Sequence, residues 1–228
     1  MRPFDPRRRR LALSIAGCLL ITLAGGLIVI ARHGPDPGQT ATAARPDLSV
    51  LTESMLIDQG AVPAVAGTSW GAMVAVPRGA APPVSPPGCG VFLSQTEALQ
   101  TGLAMRSAKG TAIGVELDVT QRPLDLDALV AQCASFTYDG GRTQSSVTME
   151  PLGLADLPAD TVGTLMHCRS VTGAKTLGWD IAMIVGYHRG LLVTAQYTPG
   201  PVGGPFDQKL ADSLAGMYRA QVAKLDHT

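Results

Sequence analysis

No catalytic signature stands out in these 228 residues. A Cys-x-x-Cys pair, a glycine loop of the kind that cradles phosphate and a ready pair of carboxylates are all missing, so no catalytic residue and no cofactor is assigned. Internal repeats and low-complexity segments are absent. Histidine is scarce, with 4 in the chain, and His167 and Cys168 are neighbours. On a strand, neighbouring side chains point to opposite faces, so these two cannot chelate one metal together, and no metal site is assigned. Net charge is absent too, but unevenly. Removing the basic residues through Arg32 and the single Asp5 leaves 12 basic against 17 acidic, a net of −5. Such a surface has no electrostatic attraction for nucleic acid, and none is expected as a partner.

What is present begins with Arg7 to Arg10, which run directly into Leu11 to Ala31, 21 residues without a charged side chain. A helix needs roughly 20 apolar residues to cross a bilayer. The positive-inside rule then places residues 1–10 in the cytoplasm and the C-terminal part outside. Ile15-Ala16-Gly17-Cys18 also fits a lipobox, with lipidation at Cys18. Leu19 to Ile30, however, continue apolar where a lipoprotein would carry a polar tether, so an uncleaved signal-anchor at 11–31 is expected. Arg32 to Asp47, with Gly34-Pro35-Asp36-Pro37-Gly38, has no apolar periodicity and is expected to be a flexible stalk.

Residues 48–228 are long enough for one core and too short for two comfortable ones. Helix signals occur at Thr52 to Gln59 and at Asp125 to Cys133. A third lies at the capping-box pattern Ser94-Gln95-Thr96-Glu97, which predicts a helix to about Met105, and the last is the stripe Leu210, Leu214, Met217, Gln221, Leu225. Strand periodicity marks Trp70 to Pro77, Ala112 to Thr120, Val162 to Thr172, Gly178 to Tyr187 and Leu191 to Tyr197. Asp139-Gly140-Gly141-Arg142 reads as a hairpin turn between Ser135–Tyr138 and Thr143–Met149, and the last three strands as a meander. The fold class predicted is α+β: after the transmembrane helix, one mainly antiparallel sheet of about six strands with the helices on one face. Glu116, Asp118 and Asp180 fall on strand positions expected to face solvent.

Arginine outnumbers lysine 14 to 4, which with abundant alanine, glycine and proline suggests a high-GC genome such as an actinobacterium. Pro86-Pro87-Gly88-Cys89-Gly90, then Val130-Ala131-Gln132-Cys133, then Gly140-Gly141-Arg142-Thr143 leading into Val147-Thr148-Met149, resemble a mycobacterial family of uncharacterised exported proteins and lipoproteins. That family has a sensor-like domain more distantly similar to the extracellular domain of the receptor kinase PknH. The resemblance spans about Leu48 to Leu225. It implies an extracytoplasmic sensor-like module without known chemistry. The ten residues before the apolar stretch hold no kinase domain, so direct phosphoryl signalling is not expected of this chain. Of the three outward cysteines, the resemblance pairs Cys89 with Cys133, one after a proline-rich loop and the other ending a helix. Cys168 then remains a free thiol, either reactive or, by default, a buried strand residue.

Gly67-Thr68-Ser69-Trp70-Gly71 has the form of a hydrolase nucleophile elbow, with His188 and several aspartates downstream. Only about 20 domain residues precede Ser69, where that fold needs several parallel strands, and a strand rather than a helix follows it. The expected function is non-catalytic. The domain would bind a small or lipidic envelope ligand or, alternatively, dock on another envelope protein; a preformed apolar pocket would favour the first and a flat apolar patch the second.

Overall fold

The computed structural model describes residues 45–76, 83–94, 97–108, 110–140, 143–154, 157–158, 160–199 and 204–228. The predicted anchor, with Cys18, lies outside the described residues. Among those described, no helix is long and apolar enough to cross a membrane. Arg45–Thr228 forms one compact unit, which contains both hydrophobic clusters and the disulfide.

Nine strands make one sheet: β1 Ser69–Ala75, β2 Val84–Ser85, β3 Ala98–Ala108, β4 Thr111–Thr120, β5 Ser135–Asp139, β6 Gln144–Pro151, β7 Thr161–Thr172, β8 Lys175–His188 and β9 Leu191–Thr198. Their order is β1-β3-β4-β9-β8-β7-β6-β5-β2, and every pairing is antiparallel. The β5–β6 hairpin and the β7–β8–β9 meander match the periodicity of their sequences. The two-residue turn Arg189-Gly190 has φ of 48° and 77°, the left-handed pair that matches strand twist in a tight hairpin. Among the described residues there are two α-helices, α1 Leu126–Gln132 and α2 Gln208–Leu225, capped by the side chains of Asp125 and Asp207.

Three expectations are corrected. Ala98 to Ala108, predicted as helix after the Ser94–Glu97 pattern, is the long strand β3. Leucine, methionine, glutamine and arginine favour helix, but this segment is hydrogen-bonded on both sides, to β1 and β4, and tertiary pairing overrides so small a propensity. Ser94 adopts a left-handed φ of 53° and closes a 3₁₀ segment, Pro87–Leu93, instead of opening a helix. Thr52 to Gln59 forms two short 3₁₀ turns, Glu53–Met55 and Gln59–Ala61, not a helix. Finally, the helices do not gather on one face of a six-stranded sheet. In β8 and β9 every residue over Ala182–Gly186 and Leu191–Ala195 is buried, so both faces of the sheet are covered.

One face carries α2, whose Leu214, Met217, Tyr218 and Leu225 pack on Ile113, Val115, Leu117, Ile184 and Val193. Gln221, fully buried in this stripe, takes the Ile57 N–H on its Oε1 at 2.9 Å and donates from Nε2 to the Met55 carbonyl at 2.7 Å. The side chain thereby ties the 3₁₀ turns to the helix and satisfies backbone groups that a regular helix would have satisfied itself. The opposite face carries the 3₁₀ segment and α1 over Phe136, Val147, Met166, Cys168, Met183 and Val185.

Helix and sheet meet most closely where a Cβ on Gly186 would overlap Tyr218 Oη and Thr161 Cγ2. Gly216, exposed on the outer side of α2, has nothing within 4 Å of its missing Cβ. Gly186→Ala is therefore expected to lower stability by about 1–3 kcal/mol through overpacking, and Gly216→Ala to raise it by about 1 kcal/mol. Urea titration of the two variants against wild type reads both signs.

Candidate functional site

The 3₁₀ segment has no regular ladder to hold it on the sheet. It is held by burial of Cys89, Val91 and Phe92 and by the Cys89–Cys133 disulfide, which joins it to the C-terminal end of α1 across 44 residues. Closing such a loop contributes about 4 kcal/mol on the chain-entropy account. The bridge thus fixes to one another the two elements that cover this face.

At the C-terminal end of the same segment lies a pair of acids that the alternation of β4 placed in solvent. The structure buries both: Glu116 is 6% exposed and Asp118 2%. Two residues apart on one strand, they share a face. The cross-strand neighbours on that face are Leu103 and Thr194 for Glu116, and Thr101 and Leu192 for Asp118. Thr101 Oγ1 donates to Asp118 Oδ1 at 2.7 Å, and Ser94 hydrogen-bonds the Glu116 carboxyl. Burial pushes the Glu116 pKa from 4.5 up to about 7; the Asp118 charge adds to the rise, and the Ser94 bond opposes it. The solvated face expected for these residues is corrected because the second face of the sheet is itself covered.

Beyond Asp118 the strand runs out into a groove of about 410 Å³, lined by Pro87, Gly88 and Val91 of the 3₁₀ segment, by Arg122 and Leu124 past the end of β4, and by Glu97. A second groove, about 420 Å³, sits at the far edge among Pro83, Tyr138, Ser145 and Arg169. The first is the candidate site. Pro87, Gly88 and Val91 bring the disulfide-held segment into its wall and Thr120 brings the end of β4, two residues past Asp118, whereas the second lies along the short edge strand.

The remaining predicted residues are not brought together. Cys168 is a free thiol, 3% exposed, with its pKa pushed up to about 12 by burial and by the nearby Asp180 charge, so it is inert at neutral pH. On the other face His167 lies between two carboxylates, Nδ1 at 2.8 Å from Asp180 and Nε2 at 3.4 Å from Glu150. Both ring nitrogens are taken. The Asp180 bond, with Glu150 behind it, raises the His167 pKa, and the small stabilisation from this exposed cluster is full below the ordinary histidine value and lost as pH rises through the raised one. Among the described residues no group of three or more His, Cys, Asp or Glu side chains is placed to hold a metal. Ser69 opens the edge strand β1 and donates its hydroxyl to the Ser107 carbonyl at 3.3 Å. His188, on β8 with β3, β4 and β9 between it and β1, bonds Asp226 at 3.0 Å.

Glu116 holds its proton more tightly folded than unfolded, so stability falls as pH rises from about 4.5 through about 7. The loss is expected to reach about 3 kcal/mol at alkaline pH, and Glu116→Gln to abolish that component. Denaturant unfolding at pH 4.5 and pH 8.5 measures the difference, and equal slopes in the two proteins would contradict it.

No protein-family model matches the chain, and no curated protein matches it. Among solved structures it is similar to an uncharacterised protein from Mycobacterium smegmatis, described as the Rv0999 ortholog. That likeness stands at 15% identity and a TM-score of 0.37, and covers 68% of this chain and 87% of that one.

Proposed function

We propose that this protein is a membrane-anchored, extracytoplasmic ligand-binding module of the cell envelope, and that the groove between the 3₁₀ segment and the end of β4 receives the ligand. The groove itself carries the reading. At about 410 Å³ it falls in the size range of small-molecule sites, roughly 300–1,000 Å³, and it combines apolar walls with one cation, Arg122, and one anion, Glu97. Such a lining suits a small amphipathic or lipidic molecule whose polar end meets the charges while its apolar part lies on Pro87, Val91 and Leu124. One wall is fixed by the disulfide, which reduces the ordering cost of binding. The sequence likeness to sensor-like exported domains, and more distantly to the extracellular domain of PknH, supports the same reading. The basic-then-apolar N-terminus supports the anchor and the outward orientation.

A second reading, an accessory module docking on another envelope protein, draws on the exposed apolar side chains of Met73 and Val76 at the β1 edge.

Native mass spectrometry of the chain purified from its own envelope is expected to show a co-purifying small molecule or lipid. Leu124→Glu, at a position 38% exposed and therefore compatible with the fold, is expected to reduce its occupancy at least about tenfold, the effect of about 1.4 kcal/mol. A bound polypeptide in its place would support the second reading. An empty wild-type chain would remove the ligand-binding one.

A further inference from the structure

The two ends of the sheet are guarded differently. At one end β2 is two residues long, preceded by Pro83 and followed by Pro86, the short proline-flanked form with which natural sheets blunt an edge. At the other end β1 presents seven residues, Ser-Trp-Gly-Ala-Met-Val-Ala, with neither proline nor charge. Among the described residues no strand pairs with its outer side. Five of the seven are exposed, Met73 is 51% exposed, and no atom lies within 4 Å of where a Gly71 Cβ would stand.

We propose that this edge binds a second copy of the chain, β1 pairing antiparallel with β1 about a twofold axis through Ala72 and perpendicular to the sheet. The order of residues in the strand selects the partner and the register. An axis at Ala72 sets Trp70 opposite Val74, Gly71 opposite Met73 and Ser69 opposite Ala75. Trp70 and Val74 lie on the face that carries α2, where both pack partly against that core. Paired across the axis they give two contacts between an aromatic and a β-branched residue, a combination that stabilises cross-strand pairs. On the other face each Met73 lies opposite the Gly71 of the second copy, where the missing side chain leaves room for a flexible thioether. Moving the axis by one residue loses this fit. At Gly71 it would oppose Trp70 to Ala72 and Met73 to Ser69. At Met73 it would crowd methionine against methionine and leave Gly71 opposite Ala75. No charge stands on the strand, so two copies meet without like-charge repulsion, and a perpendicular twofold keeps each face continuous across the join.

The residue on the axis faces its own copy. Facing residues of an antiparallel pair have Cα atoms about 4.5–5.5 Å apart, within disulfide reach. In the full chain Ala72→Cys is therefore expected to crosslink to itself under mild oxidation. Ser69→Cys alone should not, but a mixture of Ser69→Cys with Ala75→Cys should, with the wild-type cysteines as background. Light scattering on the full chain in detergent and on Arg45–Thr228 should show a dimer in both. Ala72→Lys, at an exposed position that leaves the fold intact by circular dichroism, places two ammonium groups on the axis and should weaken that dimer at least about tenfold. A wild-type monomer in both preparations would overturn the proposal. So would association indifferent to Ala72→Lys, self-crosslinking of Ser69→Cys as fast as that of Ala72→Cys, or a different protein occupying the edge.

Discussion

Strands β8 and β9 are buried on both sides over Ala182–Gly186 and Leu191–Ala195, with Thr194 the one polar side chain, and the rest of the domain is organised by the need to cover both. A sheet with one wet face would need a single layer of helix. This one needs two, and among the described residues only one helix is long, the 18 residues of α2. The second layer is made from lesser parts: seven residues of 3₁₀ helix and the seven of α1. Neither could hold its place through helix stability, since isolated helices below about 12 residues are marginal in water. The Cys89–Cys133 bridge supplies what their length does not. It makes one unit of the two short elements, and the apolar surface they bury together keeps that unit on the sheet.

Covering the second face also explains the chemistry beneath it. A carboxylate on an exposed strand face costs nothing; under a lid it must find donors or keep its proton. Asp118 finds the Thr101 hydroxyl, and Glu116 finds Ser94, a residue of the lid itself, held at the end of the 3₁₀ segment in a left-handed conformation. One hydroxyl does not offset the lost solvation, and the Asp118 charge nearby opposes ionisation further, so burial prevails and the Glu116 pKa moves towards neutrality. The site therefore combines a rigid end, at the disulfide, with an end whose hydrogen bonding depends on the state of one carboxyl.

Much of the sheet was legible because alternation reports a strand directly. The hairpin around Asp139-Gly140 and the meander closed by Arg189-Gly190 carry both period and turn residues. Where reading failed, propensity and period were answering a narrower question than the fold asked. Ala98 to Ala108 is rich in helix formers and its strand identity comes only from β1 and β4 on either side. Glu116 and Asp118 alternate correctly with Ile113, Val115 and Leu117, and the alternation does report two faces. It cannot report that something folds over the second one, because that depends on Pro87–Leu93, about 25 residues upstream. The one available signal was Phe92 and Val91 beside Cys89, an apolar run at a cysteine, which marks a segment with a surface to lie on.

The two ends of the sheet differ for the same physical reason. Strands in the middle are satisfied by neighbours and by both layers, and the layers thin towards the edges. At the β2 end the backbone is protected by brevity and proline. At the β1 end the core on the α2 face still reaches Trp70 and Val74, while on the other face Met73 is left half in water. A free backbone edge beside an unfinished apolar face is the arrangement that sheet proteins otherwise avoid, because it templates further pairing. Here, where no described strand pairs with the outer side of β1, a strand without charge or proline leaves the edge open to a partner. The occupant we propose is the same strand turned about its own centre.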